Sequence, residues 1–161
     1  MRNDFVVVGL LAGSLLATPA VAQHKTPNQQ PATATTPAAP TGDLALGMVR
    51  FTRAVTADGK SLPSGSYQVR LTGQEAKPDA VGATEKLERW VEFVQQGTVK
   101  GREVVSIVPE AEVKTVAKDA PPRPGASKVQ MLKGNDYVRV WINKGGNHYL
   151  IHLPTGVATK A

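Results

Sequence analysis

Two observations predict an all-β fold for most of this 161-residue chain. From Met48 onward, short β-rich segments recur between clusters of Gly, Pro, Asn and Asp, and within them apolar residues alternate with polar ones. A third, the Gly-rich spacing of the last three segments, predicts antiparallel neighbours. The expected architecture is an antiparallel β-sandwich or open barrel of about 7–8 strands, preceded by an export signal and a disordered tether.

The first expected element is not part of the fold. A twelve-residue apolar run, FVVVGLLAGSLL from Phe5, follows Arg2 and precedes Ala20-Val21-Ala22 and Gln23. This reads as a secretory signal peptide over 1–22 with an A-x-A cleavage site. At ~1.5 Å per residue the run reaches ~18 Å, short of a ~30 Å hydrocarbon core, so no transmembrane anchor is expected after processing. A periodic repeat is missing from 23–42, QHKTPNQQPATATTPAAPTG, where four prolines and the single charge of Lys25 predict a disordered Pro/Ala/Thr-rich tether. The rest, 43–161, is long enough for a single β-domain with one modest core.

Within that domain, 48–56 carries Val49, Phe51 and Val55 in one parity and runs into Ala57-Asp58-Gly59-Lys60, a two-residue hairpin signal. Leu62-Pro63-Ser64-Gly65 supplies a second turn, because Pro63 fixes φ and Gly65 accepts a positive one. In 66–72, the clearest strand, Tyr67, Val69 and Leu71 face one way and Gln68 and Arg70 the other. Segment 85–96 fits two patterns. Leu87, Trp90, Val91 and Val94 fall at helical spacing, with Thr84 ahead as a cap and Gly97 beyond, but the β-branched and aromatic content favours a strand. The nearly continuous apolar run 104–108 suits a strand covered on both faces, with Pro109 marking an edge or bulge. Strands at 128–133, 136–143 and 147–153, joined through Gly134-Asn135 and Gly145-Gly146, predict a meander. Loops 73–86 and 118–127 are long for so small a domain, which marks them for function or disorder.

These residues carry a family resemblance. FTRAVTADGKSLPSGSYQVRLT (51–72) resembles the opening of small secreted bacterial β-domain proteins of unassigned function, with their Leu-Pro-x-Gly-x-Tyr-x-Val-Arg turn. VEFVQQGTVKGREVVSIVPEAEV (91–113) is similar to their central hairpin, although Glu110 stands between Pro109 and Ala111, and Tyr149 to Leu153 is similar to their closing strand. More distantly, the turn resembles that of transthyretin-like and carboxypeptidase-regulatory-like sandwich modules. The resemblance implies a β-domain and assigns no catalytic residue. The six-residue connection 96–101 and the proline-rich loop 120–125 depart from the pattern and are candidates for a function private to this chain.

The chemistry-bearing residues are sparse. With no Cys, thiol catalysis, disulfides and Cys metal sites are excluded. His148 and His152 would be a metal pair on a helix, but on a strand they stand ~13 Å apart, and both are expected at the surface or rim; no metal or cofactor is expected. None of Ser61, Ser64, Ser66, Ser106 and Ser127 sits in a Gly-x-Ser-x-Gly elbow. Glu88 and Glu92 would be ~13 Å apart on a strand, too far for a glycosidase pair, and phosphate-loop and dinucleotide fingerprints are missing. Trp90 and Trp141 are candidate stacking aromatics, with core filling the competing reading.

Charge is the remaining lead. The chain carries a formal +6. Positions 43–110 hold nine basic and nine acidic residues, whereas 111–161 hold eight and three, so the domain's excess of five lies in its C-terminal part. Arg123, Lys128, Lys133, Arg139 and Lys144 are therefore candidates for a patch that meets an anionic partner. Export argues against nucleic acid and for an envelope polysaccharide, lipid headgroup or protein. The expected function is a non-catalytic binding module, periplasmic or secreted. The alternatives are a hydrolase with Asp79 or Glu85 approached by Arg123 between the long loops, and a structural subunit assembling through edge strands.

Overall fold

The computed structural model describes residues 39–76 and 88–156. The expected signal peptide, most of the tether, and Asp79 and Glu85 lie outside the described residues. In chain order the strands are β1 (Leu44–Phe51), β2 (Val55–Ala57), β3 (Lys60–Leu62), β4 (Gly65–Glu75), β5 (Glu88–Gln95), β6 (Thr98–Pro109), β7 (Ser127–Met131), β8 (Tyr137–Lys144) and β9 (Asn147–Pro154). A 3-10 turn at Glu110–Glu112 and a one-turn helix, α1 (Val113–Val116), separate β6 from β7. Seven strands form one antiparallel sheet in the order β1-β4-β5-β6-β9-β8-β7, and β2 pairs with β3 alone.

The sheet curls until its two edges meet, so the fold is all-β and nearly a closed barrel. Seven is an odd number. In an all-antiparallel sheet the first and seventh strands then run the same way, and β1 and β7 meet as parallel neighbours. No backbone ladder joins them; instead the Ser127 hydroxyl donates to the Met48 carbonyl at 3.1 Å and the Lys144 ammonium donates to the Ala45 carbonyl.

Period-two alternation fills the interior. Tyr67, Val69 and Leu71 of β4, Val91 and Phe93 of β5 and Val138, Val140 and Ile142 of β8 are buried in one cluster. The rings of Phe51, Tyr67 and Phe93 lie 5.6–6.4 Å apart at tilted or edge-on angles, and the Tyr67 hydroxyl donates to the Pro63 carbonyl at 2.8 Å, latching the Leu-Pro-Ser-Gly turn to the strand it launches. Of segment 85–96, the described part forms the strand β5, Glu88–Gln95, with Val91 and Phe93 inward as its alternation requires.

β6 is covered on both faces. Val105 and Ile107 join the interior, while Val108 faces outward into a second cluster with Val113, Ala117, Trp141 and Leu150. The segment Glu110 to Ala117 is the strap that covers this outer face.

Three expectations need correction. The strand expected over 48–56 breaks at Thr52–Ala54 into β1 and β2. The six-residue connection 96–101 is a two-residue turn, Gln96-Gly97, with φ of 51° and 74°; four of the residues assigned to it extend β6, and a bulge at Phe93/Val94 absorbs the misfit in register. The tether does not run free to Gly42. Ala39 packs on the core, and the buried Arg89 guanidinium donates to the carbonyls of Pro40, Gly42 and Thr72.

Candidate functional site

The residues expected to meet an anionic partner divide by local circumstance. Arg139 is engaged, its Nη1 lying 3.4 Å from Asp119 Oδ2 and its Nε–H donating to His152 Nε2 at 3.2 Å. Lys144 is turned across the seam to Ala45. Arg123, on the loop leading into β7, Lys128 on β7 and Lys133 just beyond it are exposed and make no ion pair among the described residues.

Barrel closure brings two further cations to the same place. Arg50 on β1 and Arg53 just after it are exposed and likewise without an ion pair among the described residues. The Ser127–Met48 bond fixes the register of β7 beside β1, and beyond it the strands diverge around a cavity of about 140 Å³ lined by Phe51, Thr52, Arg53, Val129, Gln130 and Met131, among others. Met48 is 60% exposed beside this seam. Sequence reasoning missed Arg50 and Arg53 because they lie in the charge-balanced part of the chain and approach β7 only through closure.

A second cavity, about 290 Å³, opens at the fork where β6 and β9 part. β6 and β9 pair only from Val105↔Ile151 to Pro109↔Asn147; below that, β6 continues with β5 and β9 with β8. The β2–β3 hairpin seats at this fork on Gly101, where a Cβ would stand 3.1 Å from Leu62 Cδ2 and 3.3 Å from Ala57 Cβ. Glu103, 8% exposed, stitches the junction: its Oε2 accepts the Asp58 N–H at 2.9 Å and its Oε1 accepts the Val104 N–H at 3.0 Å. Burial pushes this carboxyl above the usual carboxylate range, and the nearby Asp58 charge adds to the rise. Across the fork, His152 is exposed as a residue, but desolvation where its ring packs against the pocket, and then the Arg139 charge, hold the imidazole below its ordinary value.

The remaining singled-out residues fall elsewhere. Trp141 is fully buried and its indole N–H donates to His148 Nδ1 at 2.9 Å, so it is no stacking platform. Trp90 is half-buried, with the Arg102 guanidinium carbon 4.4 Å from its ring centroid. The expectation that both histidines sit at the surface is half wrong: His152 is exposed, but His148 is 0% exposed, its Nε2 paired with Glu110. Both share the outer face as the alternation requires, and the strap covers only one of them. Glu92 pairs with Arg70, and Glu88 accepts from Ser106 Oγ at 3.1 Å. Among the described residues no helix is long and apolar enough to cross a membrane, and no group of three or more His, Asp or Glu is placed to hold a metal ion. Compared with known protein families, with curated proteins and with solved structures, the chain finds no match.

Proposed function

We propose that the chain is an exported, non-catalytic binding module that works at the cell envelope and docks a linear polyanion along the β1–β7 seam. One observation carries this reading: Arg50, Arg53, Lys128 and Lys133 border a single seam, exposed and without an acidic partner among the described residues. By contrast, Arg70, Arg102 and Arg139 are each neutralised by an adjacent carboxylate. The five residues of β7 extend ~16 Å, so the cations form a row rather than a point, which suits a carboxylate- or phosphate-bearing polysaccharide better than a single headgroup. The export signal supports the envelope as the place of action.

The test is retention on purified anionic envelope polysaccharide. Binding should weaken as salt is raised from 50 to 500 mM, over which the screening length falls from more than ~10 Å to a few Å, and the triple variant Arg50→Glu, Lys128→Glu, Lys133→Glu should lose it. Retention no better than that of an unrelated basic protein, or indifferent to those charge reversals, overturns the reading. A second reading, assembly of copies through edge strands, draws support from the lack of a ladder between β1 and β7. A monomer at every concentration in sedimentation would reject it.

A further inference from the structure

The fork between β6 and β9 has a chemistry unlike that of the seam. Its cavity is floored by Val104, Leu150 and Pro154 and walled by the β2–β3 hairpin on one side and His152 and Tyr137 on the other. Two carboxyl groups, Glu103 and Asp58, line it. Asp58 is answered by Arg102 at 3.2 Å, whereas Glu103 accepts only two backbone N–H groups and has no cation within ion-pair reach among the described residues. A buried carboxylate of this kind is costly unless a positive charge arrives beside it.

The neighbouring groups do not supply that charge. His152 receives the Arg139 N–H on Nε2, so this nitrogen carries no proton, and its lowered affinity for a second proton keeps the ring neutral at pH 7. The Ser106 hydroxyl gives its hydrogen to Glu88 and the Thr56 hydroxyl gives its own to the Gly156 carbonyl at 3.3 Å, which leaves oxygen lone pairs on both. The pocket thus offers carboxylate and hydroxyl acceptors over an apolar floor. The complementary group is one with several donors, a positive charge and no acceptor, and a primary ammonium has three donors on one centre.

We infer that the fork pocket binds a primary ammonium carried on a small ring or short aliphatic body, with the charge against Glu103 and the apolar body on Val104 and Leu150. At about 290 Å³ the space sits at the small end of ligand pockets, enough for one ring or one side chain rather than an oligomer. The site is distinct from the seam cavity, with which it shares no lining residue.

Calorimetry on the full-length protein tests this with two matched pairs: glucosamine against glucose, and Nα-acetyl-lysine amide against Nα-acetyl-norleucine amide. The ammonium member of at least one pair should bind more tightly than its neutral counterpart by about tenfold or more, and which pair responds separates an amino sugar from a lysine-like ligand. Carboxyl NMR of the wild-type protein should show the Glu103 titration moving to lower pH when the amine is present. Glu103→Gln should abolish the preference for the charged member; if that variant fails to fold, the wild-type titration decides alone. Equal affinity for charged and neutral members in both pairs, no binding by either ammonium, or an unmoved Glu103 titration overturns the inference.

Discussion

His148 carries a constraint that an exposed histidine escapes. An indole N–H can only donate, so His148 Nδ1, which receives it at 2.9 Å, must be unprotonated, and the proton of the neutral ring stands on Nε2 toward Glu110. Replacing Trp141 by Phe preserves much of the packing but leaves the buried Nδ1 without a donor. We predict a loss of about 1–3 kcal/mol, read from the urea midpoint. His152 makes a pH prediction of definite sign. Its folded-state proton affinity lies below the ordinary value of 6.5, so the unfolded chain binds the proton more readily. The stability it contributes is complete above pH 6.5 and is lost as pH falls through the lowered folded value. Denaturant midpoints measured between pH 8 and pH 4 should show this decline, and His152→Asn should remove that portion of it. Alternation along β9 places both histidines on the outer face from sequence alone. What it does not reveal is which stretch of that face is covered, because Glu110 to Ala117 holds one 3-10 turn and a four-residue helix, too short for any apolar period to register.

The β2–β3 hairpin shows how two neighbouring elements define a site. Its Asp58-Gly59 turn, with φ of 43° and 74°, is the type that Asp-Gly dipeptides favour, and it is legible in the sequence. Its docking is not, because that depends on Gly101 from a strand forty residues later accepting Leu62 and Ala57 side by side. Both partners are fully buried and the alanine Cβ has no rotamer to yield. Gly101→Ala should therefore destabilise the protein by about 1–3 kcal/mol. It should also speed amide exchange at Asp58, whose N–H rests on Glu103. The same logic explains the tether boundary. Nothing in Ala39-Pro40-Thr41-Gly42 announces order; it is Arg89, far along the chain, that holds these carbonyls. The meander β7–β8–β9 was readable because both of its turns and all three alternations are local.

At the scale of the whole molecule, the charge distribution follows from closure rather than from sequence halves. Reading the C-terminal excess finds Lys128 and Lys133 but also collects Arg139 and Lys144, which serve the fold, and omits Arg50 and Arg53. Near-closure sets the first strand of the sheet beside the last, and no linear tally anticipates that. The seam makes its own prediction. Amides of β7, a five-residue edge strand laddered on one side only, should exchange with solvent well before those of β6 and β9, as hydrogen–deuterium exchange followed by mass spectrometry would show.

The odd strand count also has a mechanical side. A ring of backbone bonds resists a pull at any point around its circumference, but this one is fastened along one line by side chains alone, like a sleeve held by two buttons at Ser127 and Lys144. A force applied from the N-terminal side of Ala39 first meets the grip of Arg89 on Pro40 and Gly42, and only when that yields does it reach β1. The molecule should then unroll from the seam, shedding β1 while the other six strands stay laddered, so Arg89 acts as the strain relief between the chain ahead of Ala39 and the sheet behind it.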